Sequence, residues 1–225
     1  MTPSFVEQMG NPQATKGSGY SIAPGVVLNN TNLLLEGKVQ VHIPSLPAFD
    51  AWARMVSVGG GSGRGFMWLP QIGDEVLVAF NENDERDAYI LGGLWNTIDR
   101  PPTVIPTDFM TKRIIKTGVA PGFGHEIDFD DLTQSITITT STLQKIAMDP
   151  TKISISAVGG ALSVTLDLGP PPGITIQSVA GNISLSAPAG KISIQGLAVE
   201  VSSESTLDLS SVGPCSIGGL PVKIN

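Results

Sequence analysis

The sequence predicts an all-β protein in two parts: a small N-terminal Greek-key barrel, then a C-terminal β-region that three chains wind around one axis. Three observations carry this. Gly and Pro are abundant, at 26 and 17 of 225 residues, and no stretch holds a 3.6-residue apolar period, which fits many short strands joined by turns. All three tryptophans lie between Val26 and Pro102. From Gln134 to Asn225 there is no aromatic residue, and apolar residues recur as i, i+2 pairs at steady intervals.

Residues 1–24, rich in Gly, Pro, Ser and Gln, read as an extended N-terminal arm or as a simply unstructured one. Residues 25–102 form the barrel. The alternating runs KVQVHI, ARMVSV, EVLVAF and AYILGGLW are separated by turn signals such as IPSLP, GGGSGRG, PQIGD and NENDERD. Trp52, Trp68, Trp95, Phe49, Phe66, Phe80 and Tyr89 supply large residues for a core, and only this part of the chain could fill an ordinary globular interior. Residues 103–134 connect, with KRIIKTG and HEIDFDD as a hairpin or bridging strands and Phe129 as the last aromatic residue.

Residues 135–225 are the repeat. The pairs are Ile136/Ile138, Ile146/Met148, Ile153/Ile155, Leu162/Val164, Ile174/Ile176, Ile183/Leu185, Ile192/Ile194, Val199/Val201, Leu207/Leu209, Cys215/Ile217 and Val222/Ile224. They start mostly 7 to 10 residues apart, with a longer step at GPPPG (169–173). One such ribbon exposes an apolar face and two unpaired edges. Winding into a β-helix buries both. A single chain coiling alone needs wider rungs with occasional large residues. Three intertwined chains, each supplying strands in turn to the faces of a prism, suit small side chains, so a homotrimer is expected. Eleven strands per chain at roughly 4.8 Å per level give a shaft on the order of 50 Å long.

Composition excludes several function classes. A net charge of −7 and a pI near 4.7 argue against nucleic acid as a partner, since such binding needs a basic surface to displace counterions. MTPSFVEQMGNPQATKGSGY has no basic and apolar regions of a secretory signal, and no apolar run nears the roughly 20 residues of a membrane span. The single Cys215 forms no intrachain disulfide, so synthesis in the cytoplasm is expected. No catalytic, cofactor or metal site is assigned. GGGSGRG (59–65) lacks the spacing of phosphate-binding loops. Glu126, Asp128 and Asp130 alternate with Ile127 and Phe129 next to His125, as on a solvated strand face. Glu82, Asp84, Glu85 and Asp87 read as an exposed turn, and Cys215 as a small buried hydrophobe.

The segments GKVQVHIP (37–44), WARMVSVGGG (52–61), FMWLPQIGDEVLVAF (66–80) and DERDAYILGGLWN (84–96) resemble the OB-fold domain of phage baseplate central-spike proteins. These are the gpV-like and VgrG-like spikes of contractile injection systems. KRIIKTG…GHEIDFDD (112–131) resembles that family's lead into its β-helix. The resemblance implies an OB-fold barrel followed by a triple-stranded β-helix, and a structural role without enzymatic activity. It implies a hub protein at the barrel end, assembly into a virion tail or injection particle, and transient contact with a target envelope. The large hub module, a lysozyme-sized insert and the H-x-H iron-binding tip of some phage spikes are missing; the only histidines are His42 and His125. The ending SIGGLPVKIN implies a separate PAAR-type tip protein, seated on Leu220, Pro221, Val222, Lys223, Ile224 and Asn225. Two other classes stay open. A tail-associated, β-helical polysaccharide-degrading or glycan-binding protein would need aromatics that the repeat lacks. A single-strand nucleic-acid barrel would need a basic groove.

Overall fold

The computed structural model describes residues 22–31, 37–46, 48–82, 84–118, 120 and 122–223. Five strands close into a barrel: β1 (Ile22–Asn29), β2 (Lys38–His42), β3 (Asp50–Met55), β4 (Glu75–Asn81) and β5 (Asp84–Gly93). Their order is β1-β2-β3-β5-β4. All neighbours are antiparallel except β3 and β5, where Arg54 stands opposite Tyr89 and Met55 opposite Ile90. That crossover, with β4 returning to pair with β1, makes a Greek-key barrel with no free edge.

Alternation in the sequence sets which side chains turn inward. Val39 and Val41 of β2, and Val76, Val78 and Phe80 of β4, are buried while their neighbours are not. With Ala23, Val27, Ile43, Ala51, Ala53, Ala88 and Ile90 they form the core. Every buried hydrophobic residue among those described lies in the barrel. Ile90 is fully buried, so Ile90→Ala is expected to cost about 2–5 kcal/mol, read as a lower denaturant midpoint in tryptophan fluorescence.

The core is not aromatic, which corrects the expectation from the sequence. Of the residues named for it, only Phe80 is buried; Trp52 is 39 % exposed and Trp95 70 %. Strand parity is the reason for Trp52. Ala51 and Ala53 point inward, so Trp52 between them points outward. The interior takes Ala and β-branched side chains.

The barrel begins earlier than its composition suggested. Ile22, Ala23 and Pro24 pair with Ala79, Val78 and Leu77, so three residues of the segment read as an arm belong to β1. The rest of that arm lies outside the described residues. At the opposite end of β1 the PQIGD turn is pinned by Gly73 N–H to Val27 O at 2.9 Å and Val27 N–H to Asp74 O at 3.0 Å. Gly73 has φ +97, a conformation in which a side chain is strained.

A one-turn helix, α1 (Pro106–Thr111), leads into a second sheet. Its strands are β6 (Lys112–Lys116), β7 (Glu126–Asp130), β8 (Ser135–Thr139), β9 (Lys145–Met148), β10 (Lys152–Ala157), β11 (Leu162–Asp167) and β12 (Gly173–Ser178). Each pairs antiparallel with its sequence neighbour, leaving β6 and β12 as the edges. KRIIKTG and HEIDFDD are therefore a hairpin. The repeat strands up to Ser178 pair within their own chain, so they are not the interchain rungs expected from residue 135 onward. Left-handed backbone at Gln134 (φ +52), Leu143 (φ +64), Gly159 (φ +64) and Gly160 (φ +94) helps three of these turns reverse. The loop 149–151 is closed instead by Thr151 N–H to Asp149 Oδ1 and Asp149 N–H to Lys152 O, with no positive φ there or at 168–172.

Residues 182–223 belong to a separate unit. They contain no helix and no strand. Among the described residues, their one backbone–backbone hydrogen bond runs from Gly190 N–H to Ala187 O at 3.1 Å. Beyond Gly160 no described residue has positive φ. The unit turns or bends at 188–190, 197–198, 204–205, 212–213 and 220–221, with uninterrupted runs between.

Candidate assembly surface

The seven-stranded sheet places its apolar pairs in register across the strands. One row runs Phe129, Ile136, Met148, Ile153, Leu166, Ile174, and a second runs Ile115, Ile127, Ile138, Ile146, Ile155, Val164, Ile176. Within one chain this face lacks a covering layer. Ile155 is 53 % exposed and Ile176 56 %. A contiguous apolar surface of this kind marks a contact with something else.

The other face is polar and internally paired. On β7, Glu126, Asp128 and Asp130 share a face, as the alternation indicated, and the lysines of β6 neutralise them. Lys116 Nζ lies 2.7 Å from Glu126 Oε2, and Lys112 Nζ lies 3.3 Å from Asp128 Oδ2 and 3.8 Å from Asp130 Oδ2. His125 stands aside, its Nδ1 accepting the Ser141 N–H at 3.4 Å. Among the described residues no group of three or more His, Cys, Asp or Glu could hold a metal ion. Asp128 raises the Lys112 ammonium above its ordinary value by hydrogen bond and charge.

Asp130 is held below the ordinary carboxyl value of 3.8, first by the Thr133 N–H, then by the Leu132 N–H and the Lys112 charge. A carboxyl depressed on folding contributes stability that is complete above its unfolded value and lost as pH falls through the folded one. Asp130→Asn is therefore expected to shrink the loss of thermal midpoint on acidification below about pH 4, and to leave its slope between about pH 6 and 8 unchanged.

The acidic turn holds more order than its sequence indicated. Arg54 Nη2 donates to Asp87 Oδ1 at 2.7 Å and to the Tyr89 hydroxyl, with its guanidinium 4.4 Å from the Tyr89 ring centre. Asn81 Nδ2 donates to Asp87 Oδ2 at 2.9 Å. The parallel β3–β5 pairing brings Arg54 beside Tyr89, and no spacing in the sequence signals that. The loop 59–65 is a tight reversal, with Gly61 and Arg64 exchanging backbone hydrogen bonds and no helix after it. Phe66 and Trp68 stack at 5.6 Å. With Met55, Val56, Trp95 and Ile115 they line an apolar cleft where the barrel meets β6.

Leu220, Pro221, Val222 and Lys223 are exposed, and no strand or core gathers them. Ile224 and Asn225 lie outside the described residues. Cys215 is exposed in the single chain, so the small buried hydrophobe expected there has no cover from its own chain.

A closed five-stranded barrel with one parallel β3–β5 pairing is an OB fold, and the comparisons place it in a class. Residues 23–95 match the family of the type VI secretion system/phage-baseplate injector OB domain. The chain is 31 % identical over 102 residues to the type VI secretion system spike protein VgrG3 of Vibrio cholerae. It is 30 % identical over 102 residues to the actin cross-linking toxin VgrG1 of Vibrio cholerae, and 34 % over 84 residues to the spike protein VgrG5 of Pseudomonas aeruginosa. These matches take in 42 %, 42 % and 36 % of this chain, and 10 %, 9 % and 10 % of the relatives. The chain thus spans about a tenth of the length of the curated relatives it matches. Its barrel is thus similar to the OB domain of type VI secretion and phage-baseplate spike proteins.

Proposed function

We propose that three copies of this chain form the central spike of a contractile tail baseplate or related injection machine. The OB barrels attach to the hub and tail tube. The β-region forms the shaft, and a PAAR-type tip protein sits on its far end. Sheath contraction supplies the work, and the spike contributes stiffness and a narrow section with which to breach the target envelope. The chain is made in the cytoplasm and assembled into the particle; its role is mechanical rather than enzymatic.

The observation that carries this reading is the state of residues 182–223 in a single chain. The runs 182–187, 191–196, 199–203, 206–211 and 214–219 are five or six residues long, and each carries one apolar pair. These pairs are exposed, Leu185 at 70 % and Leu209 at 72 %. Buried backbone N–H and C=O groups have to be paired, and this unit pairs almost none of its own. Its alternation asks for burial and its backbone asks for strand partners; both come from other copies. The uncovered face of the β6–β12 sheet supports the same assembly, because three such faces close on one another around a threefold axis.

Light scattering tests this directly. A mass near three times 23.4 kDa, resistant to mild detergent, is expected, and a monomer would overturn it. The proposed tip site is Leu220 to Asn225, where Leu220, Val222 and Ile224 from three chains make a triangular apolar platform. Ending the chain at Gly219 is expected to keep the trimer and abolish binding of the tip protein, measured by co-purification. Unchanged binding removes the assignment.

A further inference from the structure

The outer wall of the barrel carries a recess that shares no residue with the apolar rows or with the cleft beside β6. Its volume is about 360 Å³, and Lys38 of β2, Trp52 and Arg54 of β3, and Arg86 and Asp87 of β5 line it. Strand pairing gathers them. Lys38 stands opposite Arg54, and Arg54 stands opposite Tyr89, two residues beyond Asp87. Parity turns Trp52 and Arg54 outward, because Ala51 and Ala53 fill the core. With three positively charged side chains against one carboxylate, the recess is basic on a chain whose net charge is −7.

The two arginines differ in how they are held. Arg54 is fixed: its Nη2 donates to Asp87 Oδ1 and to the Tyr89 hydroxyl, and Asn81 braces Asp87 from the other oxygen. A guanidinium carries five N–H donors. Held through one nitrogen, it keeps the rest oriented, and little rotamer freedom is left to lose on binding. Arg86 is exposed and enters no ion pair among the described residues. Trp52 is the one aromatic residue of the lining and is half-exposed. Trp and Arg are residue types that dominate the binding energy of protein interfaces. Pairing within the barrel accounts for Arg54 and Asp87, but it gives Trp52 and Arg86 no task.

We infer that this recess binds an acidic peptide segment of a partner protein, with a carboxylate on Arg54 and Arg86 and an apolar side chain against Trp52. A basic recess on an acidic chain selects an anion. The flanks decide which kind. Asp50 lies two residues from Trp52 on the same face of β3, and the exposed Asp84 and Glu85 precede Arg86. A phosphate backbone crossing the barrel would meet these carboxylates, whereas one or two acidic side chains seated in the recess would not. Stacking of successive bases also needs several open aromatic faces. The Tyr89 ring is covered by the Arg54 guanidinium at 4.4 Å, which leaves Trp52 alone. The site lies within one barrel, so it does not depend on the three-copy assembly.

The test selects a random heptapeptide library against the immobilised full-length chain. Enrichment of Asp and Glu beside Leu, Phe or Trp is expected. The consensus peptide, made with a fluorescein label, is then titrated by anisotropy against the parent, Arg86→Glu, Arg86→Gln and Trp52→Ala. Arg86→Glu and Trp52→Ala are expected to bind about tenfold more weakly or worse, with a smaller loss for Arg86→Gln. Binding is expected to weaken as salt rises. Denaturant midpoints followed through Trp68 and Trp95 are expected to match the parent, since neither altered side chain belongs to the core. A selection without acidic preference overturns the inference. So does a consensus peptide that binds all three variants as tightly as the parent. A labelled oligothymidylate that outcompetes the consensus peptide, and loses its binding in Arg86→Glu, overturns it as well and assigns the recess to nucleic acid.

Discussion

Ile155→Asp is expected to abolish the three-chain species and leave the barrel folded. Ile155 stands in the second apolar row, between Ile146 on β9 and Val164 on β11. If three copies close these faces on one axis, the substitution puts three carboxylates into one narrow interior. Each buried, unpaired carboxylate costs several kcal/mol, or must take up a proton instead. Symmetry triples that cost. Ser154→Asp is the control. It is the adjacent residue, lies between Ala147 and Thr165 on the polar face, and is expected to keep the trimer. Light scattering separates the two, and tryptophan fluorescence reports the barrel, since Trp52, Trp68 and Trp95 all lie there. A trimeric Ile155→Asp variant would mean that the exposed rows are not the assembly surface.

How much of this the sequence disclosed differs between the two parts. Alternation located the barrel strands and set their parity, so Val39, Val41, Val76 and Val78 were readable as inward. The aromatic residues misled because size suggests burial, while parity and a narrow interior decide it. Trp52 is outward for the same reason that Ala51 and Ala53 are inward. The network of Arg54, Asp87 and Tyr89 was hidden because it depends on the parallel β3–β5 crossover, a long-range feature with no local signature.

In the repeat up to Ser178, the i, i+2 pairs marked one-sided strands but could not say what each strand pairs with. A hairpin partner and a partner from another chain demand the same alternation. Composition does not resolve the difference, because glycines occur in both places, and the loops 149–151 and 168–172 reverse the chain without any positive φ. The candidate tip residues were legible only through the family resemblance. In one chain Leu220 and Val222 are exposed residues without neighbours to define a platform.

A chain ending at Gly181 is expected to lose detergent resistance and to unfold faster than the full chain by about three orders of magnitude or more. The deletion removes Ile183, Leu185, Ile192, Ile194, Val199, Val201, Leu207, Leu209, Ile217, Leu220 and Val222. Each contributes roughly 1.5–3 kcal/mol once its side chain is buried. In the proposed trimer these contacts lie between copies, so the chains have to separate before any one of them unwinds. The lost stabilisation therefore falls mainly on the unfolding rate. Two side chains acting on that barrier, about 4 kcal/mol, already change the rate about 10³-fold. The barrel has its own closed core, and its denaturant midpoint is expected to stay where it was. Unfolding in detergent or denaturant, followed by gel mobility for the assembly and by fluorescence for the barrel, reads the two parts separately. Equal unfolding rates for the full and shortened chains would mean that residues 182–225 add no interchain strands, and the shaft would then have to be held by the β6–β12 sheets alone.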